Sequence, residues 1–238
     1  MPDLAELSIK IFADGADLKG MVELARDPSI SGFTTNPTLM RQSGITDYEA
    51  FAREALKQIT DLPISFEVFS DELDDMARQA RLIAAWGANV YVKIPVTNTR
   101  GESCAPLIRL LSEEGLHLNV TALLSLSQVR VVAEALEPSP RAIVSVFAGR
   151  IADTGRDPVP LMQAALELLA PFPSQELLWA SPREVLNICQ ADAIGCHIIT
   201  VTYDLLKKLR GLGRDLEDFS LATVQMFHDD AQRAGLVL

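Results

Sequence analysis

Short apolar runs alternate with amphipathic stretches from one end of the chain to the other. The runs are rich in β-branched residues and end in turn or capping residues, as strands buried in a parallel sheet do. They follow one another at close to the roughly 30-residue spacing of a strand–helix–strand unit. We predict eight strands, at residues 8–13, 31–34, 63–68, 89–94, 117–121, 142–146, 176–180 and 197–200.

The stretches between these runs show the 3.6-residue periodicity of amphipathic helices. The clearest predicted helices are residues 47–58, 71–85, 102–113 and 158–169. Strict alternation of strand and helix indicates the α/β class with a parallel sheet, and eight units in one series favour closure into a barrel. We find no linker, so residues 1–238 predict a single (β/α)8 TIM barrel domain.

The chain continues beyond the eighth strand. Residues 204–210 predict the eighth helix, and residues 215–234 predict an extra amphipathic helix at the C-terminal end. Its apolar side carries Leu216, Phe219, Leu221, Val224 and Phe227. A helix of this kind can cap its own barrel or pack on a neighbouring subunit.

The composition narrows the classes of function. The chain has 238 residues, of which 48% are hydrophobic and only 6% aromatic, so we expect a large aliphatic core. The net charge of -11 argues against nucleic acid as a partner, because a phosphate backbone requires a basic face. A small phosphate is still compatible with this charge, since one or two placed arginines suffice.

Several kinds of site and location are not expected. The longest stretch without a charged residue, 115–129, is shorter than the roughly 20 residues that span a bilayer, and the N-terminus lacks the order of a signal peptide. Neither the cysteines nor the histidines have the spacing of a metal site, and no glycine-rich nucleotide motif is present. We therefore expect a cytoplasmic protein with no membrane partner, no metal and no cofactor.

Lys93 is the strongest candidate for a chemical role. It lies in NVYVKIPVT near the end of the fourth strand, and active sites of such barrels lie at the carboxyl ends of the strands. Alternation places Asn89, Tyr91 and Lys93 inside the barrel. A buried amine is costly without a task or a partner, and desolvation favours the neutral form that attacks carbonyls. The alternative is a structural salt bridge; Lys10, near the start of strand one, is interpreted as structural or solvent-reaching.

Two carboxylates accompany this lysine. Asp14 follows strand one, and Glu67 ends strand three with its side chain predicted to point inward. Each alone is equally compatible with a helix cap or a loop charge. Together with Lys93 at the same end of the barrel, they indicate acid–base chemistry.

Other polar or large residues lie at the ends of the later strands. We expect the inner face to carry Asn119 and Thr121 on strand five and Ser145 and Phe147 on strand six, with Arg150 in the following loop. In WASPREV, Ser181 is predicted to cap a helix that begins at Pro182, which would place a helix N-terminus beside Arg183. Such a helix N-terminus suits a phosphate, although an ordinary helix cap is the better explanation of this segment taken alone.

At these residues the sequence resembles the transaldolase family, which includes fructose-6-phosphate aldolase. The resemblance covers nearly the whole chain, and TTNPT and VKIPVT at their spacing are highly specific. The matching segments are FADGAD, GFTTNPTL, VYVKIPVT, LNVTALLS, SVFAGRI, WASPREV and GCHIITVTYDLL. The resemblance implies a class I aldol mechanism that needs no cofactor.

The resemblance also implies a role for each matching residue. Lys93 would form an imine with the donor ketose, Asp14 would take the proton of its C4 hydroxyl, and Glu67 with Thr121 would hold a water. The residues that would contact the sugar are Thr35, Asn36, Asn119, Ser145 and Phe147. Those that would bind the phosphate are Arg150, Ser181 and Arg183.

The implied reaction moves a dihydroxyacetone unit from fructose 6-phosphate or sedoheptulose 7-phosphate to an aldose phosphate, as in the non-oxidative pentose phosphate pathway. Glu67 and Phe147 are the residues of the transaldolase branch, where the aldolase branch has Gln and Tyr, so transfer is favoured over cleavage. The alternatives are an aldolase that releases free dihydroxyacetone and a barrel that binds phosphosugars without turnover.

Two departures from the family pattern leave the acceptor open. Pro182 stands where an aromatic residue is usual, and Gly15 with Ala16 replaces a frequent Thr or Ser after Asp14. The short chain resembles the compact branch that forms pentamer-based rings. We therefore expect a homo-oligomer, a pentamer or a decamer, in which the C-terminal helix reaches a neighbour.

Overall fold

The computed structural model describes residues 7–236 and contains a closed barrel of eight parallel strands in sequence order. Strand β1 pairs with both β2 and β8, which closes the sheet. This confirms the predicted (β/α)8 barrel. The strands are β1 Lys10–Asp14, β2 Ile30–Thr34, β3 Ile64–Glu67, β4 Val90–Pro95, β5 Leu118–Leu123, β6 Ala142–Val146, β7 Gln175–Trp179 and β8 Ile198–Thr202.

Helices follow the strands and surround the barrel. The five before strand β5 are α1 Leu18–Leu24, α2 Pro37–Gln42, α3 Tyr48–Gln58, α4 Leu73–Ala84 and α5 Ala105–Glu113. The remainder are α6 Leu126–Ala135, α7 Ala148–Ala152, α8 Val159–Leu169, α9 Leu186–Ala193, α10 Tyr203–Leu209 and α11 Leu216–Arg233. Short helices α2 and α7 directly follow β2 and β6, at the carboxyl end of the barrel.

The first strand begins two residues later than predicted and includes Asp14. The backbone N–H groups of Ser8 and Ile9 donate to the carboxylate of Asp192, at 2.8 and 2.9 Å, rather than to a neighbouring strand. At the other end, Asp14 lies opposite Thr34 of β2 and Thr202 of β8. Asp14 is therefore held by the sheet itself and not by a loop.

Two separate clusters of buried apolar residues fill the molecule. The larger one lies between the strands and the surrounding helices and contains residues such as Val92 and Ile94. The smaller one comprises Phe12, Ile143, Leu178, Ala180 and Ile198, with Tyr91 and Phe147 packed against it. Because Phe12 precedes Asp14 by two positions on β1, this inner cluster lies one layer below the carboxyl end of the barrel.

Gly32 makes room for the inner cluster. A Cβ atom at this position would lie 2.7 Å from Cζ of the Phe12 ring, closer than two carbon atoms can pack. A larger residue at position 32 would therefore displace Phe12 and disturb the inner apolar cluster below Asp14.

Lys10 lies at the opposite, amino end of the barrel. Its Nζ donates to Oε1 of Glu176 at 2.5 Å, and its side chain remains 44% exposed. This agrees with the prediction that Lys10 is structural or solvent-reaching.

The C-terminal helix α11 leaves its apolar side uncovered. None of its residues is buried, and Leu216, Phe219 and Phe227 are 75%, 54% and 64% exposed. The apolar side of α11 is therefore exposed on the isolated chain. Among residues 7–236, no helix combines the length and apolar character required to cross a membrane.

Candidate active site

Lys93 of β4 points into the barrel and is held there by two acceptors. Its Nζ donates to the backbone oxygen of Thr35 at 2.8 Å and lies 3.4 Å from Oε2 of Glu67. Glu67 lies directly across from Lys93 in the β3–β4 pair. With only 9% of its side chain exposed, the amine depends on these partners to offset the cost of burial.

Asp14 lies at the same end of the barrel. Its Oδ1 accepts a hydrogen bond of 2.7 Å from the hydroxyl of Thr34. Burial raises the pKa of the Asp14 carboxyl, while Lys93 and the Thr34 hydrogen bond oppose this shift and Glu67 adds to it. A carboxyl with a raised pKa is a better proton acceptor than an ordinary aspartate, which suits general base chemistry.

Tyr48 of α3 fixes the backbone of Glu67. Its hydroxyl accepts the N–H of Glu67 at 2.7 Å and donates to the carbonyl of the same residue at 3.1 Å. The ring of Tyr48 in turn packs against Phe66, Phe69 and Trp86, with centroids 4.5 to 6.0 Å apart. Glu67, at the last position of β3, is thus tied to a rigid aromatic cluster.

Three polar residues form a chain of hydrogen bonds across β3, β5 and β6. Asn119 donates to the hydroxyl of Ser65 at 3.0 Å and accepts from the hydroxyl of Ser145 at 2.6 Å. All three side chains are buried. Asn119 lies opposite Lys93 in the β4–β5 pair, so this chain borders the amine.

Thr121 differs from these residues because its buried hydroxyl has no hydrogen-bond partner among residues 7–236. The next residue, Ala122, has a φ of 66°, and the register of β5 against β6 shifts between Val120 and Leu123. A bulge with a left-handed non-glycine residue is costly, and such strain concentrates at functional sites. The hydroxyl of Thr121 is thus a buried polar group without a partner among the described residues, which is uncommon in folded proteins.

The TTNPT segment joins β2 to α2 across the mouth of the barrel. The hydroxyl of Thr35 donates to the carbonyl of Ser65 at 2.8 Å, so Thr35 meets Lys93 only through its backbone oxygen. Asn36 caps α2 by accepting the N–H of Leu39 at 3.0 Å. Its amide nitrogen makes no hydrogen bond within the described residues and remains available.

Phe147 and Arg150 lie together where β6 meets α7. Phe147 packs against the inner apolar cluster, and the guanidinium carbon of Arg150 lies 5.7 Å from the centre of its ring. This is the distance of a cation–π contact. Arg150 lies within α7, not in a loop as predicted, and its guanidinium makes no hydrogen bond or ion pair within residues 7–236.

The prediction that Ser181 caps a helix beginning at Pro182 is wrong. Helix α9 begins at Leu186, and Ser181 has a φ of 62° instead of the extended backbone of an N-cap. The side chain of Asn187 accepts the N–H groups of Arg183 and Glu184, at 2.8 and 3.2 Å. These amides therefore do not form a free helix N-terminus for an anion.

Gly149 brings the segments of Arg150 and Ser181 together. A Cβ at Gly149 would lie 1.5 Å from the carbonyl oxygen of Ser181, so only glycine permits this approach. Arg183 extends over the same region and binds Asp153 at the end of α7, with Nε donating to Oδ1 at 3.0 Å and Nη2 donating to Oδ2. The predicted phosphate residues are thus neighbours, although Arg183 is already paired with a carboxylate.

Five residues of this region were not among the sequence-predicted site residues. Ser65 and Thr200 could have been found from strand alternation, which places both side chains inside the barrel. Thr34 could have been found as the first residue of TTNPT. No local signal distinguishes Tyr48 or Asp153, because each acts on a residue distant in sequence. Within the described residues, no cluster of three or more His, Cys, Asp or Glu side chains could hold a metal ion.

The fold and the site define a parallel (β/α)8 barrel with a buried lysine paired with Glu67 at its carboxyl end, where Asp14 also lies. The profile of the family described as "Transaldolase/Fructose-6-phosphate aldolase" matches residues 11–237. The chain belongs to this family.

Curated relatives agree with this assignment, and a solved structure agrees with the fold. A probable transaldolase of Thermoanaerobacter sp. (strain X514) is 32% identical over 229 residues, which are 96% of this chain and 99% of the relative. A probable transaldolase of Thermoplasma volcanium is 33% identical, over 89% of this chain and 95% of the relative. A putative lyase/mutase from Burkholderia cenocepacia superposes with a TM-score of 0.61 over 96% of this chain and 85% of its own, at 13% identity, which shows the fold alone.

Proposed function

We propose that this protein is a transaldolase that transfers a dihydroxyacetone unit between sugar phosphates through a Schiff base on Lys93. The observation that carries the proposal is the buried amine of Lys93, 3.4 Å from the carboxylate of Glu67, with Asp14 acting on it electrostatically. A barrel that only binds sugars has no need for a desolvated amine between two carboxylates. This favours catalysis over binding without turnover.

In the proposed first step, Nζ of Lys93 attacks the C2 carbonyl of the ketose and water leaves as the imine forms. The carbinolamine oxygen must gain protons to leave as water, which requires a proton donor near C2. We assign Glu67 and the hydroxyl of Thr121 to hold a water that passes these protons to the carbinolamine oxygen, which then leaves as water.

In the second step, Asp14 takes the proton of the C4 hydroxyl. The C3–C4 bond breaks, its electron pair moves into the imine to give an enamine, and an aldehyde phosphate leaves. The enamine then attacks an acceptor aldehyde by the reverse sequence, and hydrolysis of the new imine releases the product ketose. The raised pKa of Asp14 supports its assignment as this base.

We assign the sugar hydroxyls to Asn36, Asn119 and Ser145, with Thr35 and Phe147 completing the pocket. Asn119 and Ser145 are fixed by their mutual hydrogen bond of 2.6 Å, which supports a preorganised contact. We assign the phosphate to Arg150, Ser181 and Arg183. Two features support this choice: the approach of Gly149 to Ser181, and the guanidinium of Arg150, which has no hydrogen bond or ion pair with residues 7–236.

Transfer and cleavage differ in the fate of the enamine. Fructose-6-phosphate aldolase is the second candidate, since the family description covers both reactions. The apolar ring of Phe147 favours transfer, because it supplies neither a proton nor a water to the enamine. Product analysis with fructose 6-phosphate, with and without erythrose 4-phosphate, tests this. Free dihydroxyacetone without acceptor would establish the aldolase.

We further propose that residues 1–238 act as one barrel unit that assembles into a homo-oligomer, a pentamer or a decamer, through α11. Six exposed apolar residues support this: Leu216, Phe219, Leu221, Val224, Met226 and Phe227. A face of this kind is unusual on a monomer. Native mass spectrometry of wild type and of Phe227→Asp tests the assembly; a monomeric wild type would contradict it.

We propose that the reaction runs in the cytoplasm, within the non-oxidative pentose phosphate pathway. Three free cysteines support a reducing compartment. Burial raises the pKa of Cys104 to about 11 and that of Cys196 to about 12, so neither thiol is reactive.

A further inference from the structure

Asp14 is the end of a chain of buried hydroxyl groups that crosses three neighbouring strands. Thr34 of β2 donates to Oδ1 of Asp14 at 2.7 Å, and the same hydroxyl contacts the hydroxyl of Thr200 on β8. Strand β1 lies between β2 and β8, with Thr34 opposite Asp14 and Thr200 opposite Phe12. Thr34 and Thr200 are only 3% and 6% exposed, so water does not compete for these hydrogen bonds.

The number of available protons determines which hydroxyl donates and which accepts in these hydrogen bonds. An ionised carboxylate can only accept, and each threonine hydroxyl carries one proton. When Asp14 is ionised, the proton of Thr34 points to Asp14, so the contact between the threonines requires Thr200 to donate to Thr34. A hydroxyl that accepts a hydrogen bond is polarised and becomes a stronger donor.

We propose that Thr200 is a positioning residue for Asp14, which it holds through Thr34. The proposal rests on the assignment of Asp14 as the base of the aldol step. Because Thr34 occupies Oδ1, the chain leaves Oδ2 as the oxygen that meets the proton of the substrate. Without Thr200, the hydroxyl of Thr34 loses the hydrogen bond that polarises it, so it donates less strongly and the ionised form of Asp14 loses stabilisation.

The other groups that act on Asp14 come from different parts of the barrel. Lys93 of β4 favours its ionised form and Glu67 of β3 opposes it, while Tyr203 of α10, the helix packed against β1, is itself affected by the charge of Asp14. The hydrogen bond from Thr34 lowers the pKa of this carboxyl and carries no charge, unlike the contributions of Lys93 and Glu67. Its effect is therefore separable from those of the charged groups.

The test is the pH dependence of kcat/KM in Thr200→Val, which keeps the shape of the side chain and removes the hydroxyl. We expect the acid limb to move to higher pH by about half a unit, a loss of about threefold in kcat/KM on that limb, with the plateau at higher pH retained. Thr200→Ser should restore the wild-type profile. Thr202→Val removes a hydroxyl opposite Asp14 that makes no hydrogen bond among residues 7–236, and it should shift the acid limb less than Thr200→Val does.

Direct titration of Asp14 by carboxyl 13C NMR separates this inference from the proposed function. A wild type without transfer activity would refute the proposed function. A higher titration midpoint of Asp14 in Thr200→Val would still support the hydrogen-bond chain from Thr200 through Thr34. Thr34→Val should shift the midpoint at least as much, and adding Thr200→Val to it should change nothing further. An unchanged Asp14 midpoint in a folded Thr200→Val variant, or an additive shift in the double variant, would overturn the proposal. If Thr200→Val does not fold, Thr200→Ala serves in the same comparison.

Discussion

The carbonyl oxygen of Thr35 accepts a 2.8 Å hydrogen bond from the amine of Lys93, so a peptide group after β2 holds a side chain of β4. The carboxylate of Glu67, on the strand between them, is the second partner of this amine. The acceptor is a backbone carbonyl, so a side-chain substitution at position 35 does not remove it. The position of Nζ is therefore a property of the barrel and of the TTNPT turn.

The first prediction concerns this amine. Borohydride reduction in the presence of fructose 6-phosphate should trap a three-carbon adduct on Lys93, identified by peptide mass spectrometry. Lys93→Met should abolish turnover, and circular dichroism should show a folded but less stable barrel, because the substitution leaves the Glu67 carboxylate and the Thr35 carbonyl without their partner. Lys10→Met is the control and should retain activity, since Lys10 pairs with Glu176 at the opposite end of the barrel. An adduct on Lys10, or none, would refute the Schiff base.

The second prediction concerns phosphate recognition. Arg183→Ala should raise KM for fructose 6-phosphate by about tenfold or more, the worth of a charge-assisted hydrogen bond, and leave KM for unphosphorylated fructose nearly unchanged. Steady-state kinetics with both donors measures this. Arg156→Ala is the matched control, because Arg156 is exposed and bonds only the hydroxyl of Thr154. Equal losses on both donors would show that Arg183 is structural, through its pairing with Asp153.

The accuracy of the sequence predictions differed between local and tertiary features. Strand parity correctly placed Lys93 and Glu67 inside the barrel, because period-2 alternation is local and both side chains lie at strand ends. The helix start at Pro182 was wrong because Asn187, five residues later, takes the backbone N–H groups that a cap would satisfy. Local sequence does not reveal that competition.

Contacts between distant strands could not be predicted either. Thr34 and Thr200 are 166 residues apart, and their contact depends on the register with which β8 closes against β1. The pairing of Arg183 with Asp153 joins segments 30 residues apart that meet only because position 149 is glycine. The sequence predicts which face a residue occupies, but closure of the barrel decides which residues meet.

The third prediction concerns the pH dependence of stability. Burial raises the pKa of Asp14 in the folded chain above its ordinary value of 3.8, so the folded protein binds this proton more tightly than the unfolded chain. The resulting stabilisation is complete below pH 3.8 and is lost as pH rises through the folded-state pKa. Asp14→Asn should therefore be more stable than wild type at neutral pH, with no transfer activity. Urea denaturation across a pH series measures the difference.

Asp27 is the opposite case and serves as the control. Hydrogen bonds from Ser29 lower the pKa of the Asp27 carboxyl, so its stabilisation is present above pH 3.8 and is lost as pH falls through the folded-state pKa. Asp27→Asn should destabilise the protein at neutral pH and leave transfer intact. If both substitutions change stability in the same direction at neutral pH, the assigned environment of Asp14 is wrong.

The last prediction concerns Phe147, on which the choice between transfer and cleavage depends. Its ring packs on the inner apolar cluster and under the guanidinium of Arg150. Phe147 therefore contributes an apolar surface and no hydrogen-bonding group. Hydrolysis of the enamine requires a proton at carbon and then a water at the imine, and this ring supplies neither. Phe147→Tyr adds a hydroxyl that can donate a proton or order a water. We expect this variant to release free dihydroxyacetone from fructose 6-phosphate while its transfer to erythrose 4-phosphate falls.

The matched control for this substitution is Phe69→Tyr, which adds the same hydroxyl to a ring that is 52% exposed and packs on Tyr48 instead of the inner cluster. It should leave both activities unchanged. Wild type should release little dihydroxyacetone until an acceptor is added, because its enamine persists until an aldehyde arrives. Free release by wild type would instead assign the protein to the aldolase reaction. In that case the apolar ring of Phe147 does not protect the enamine, and Glu67 and Thr121 become the candidates for the source of the proton.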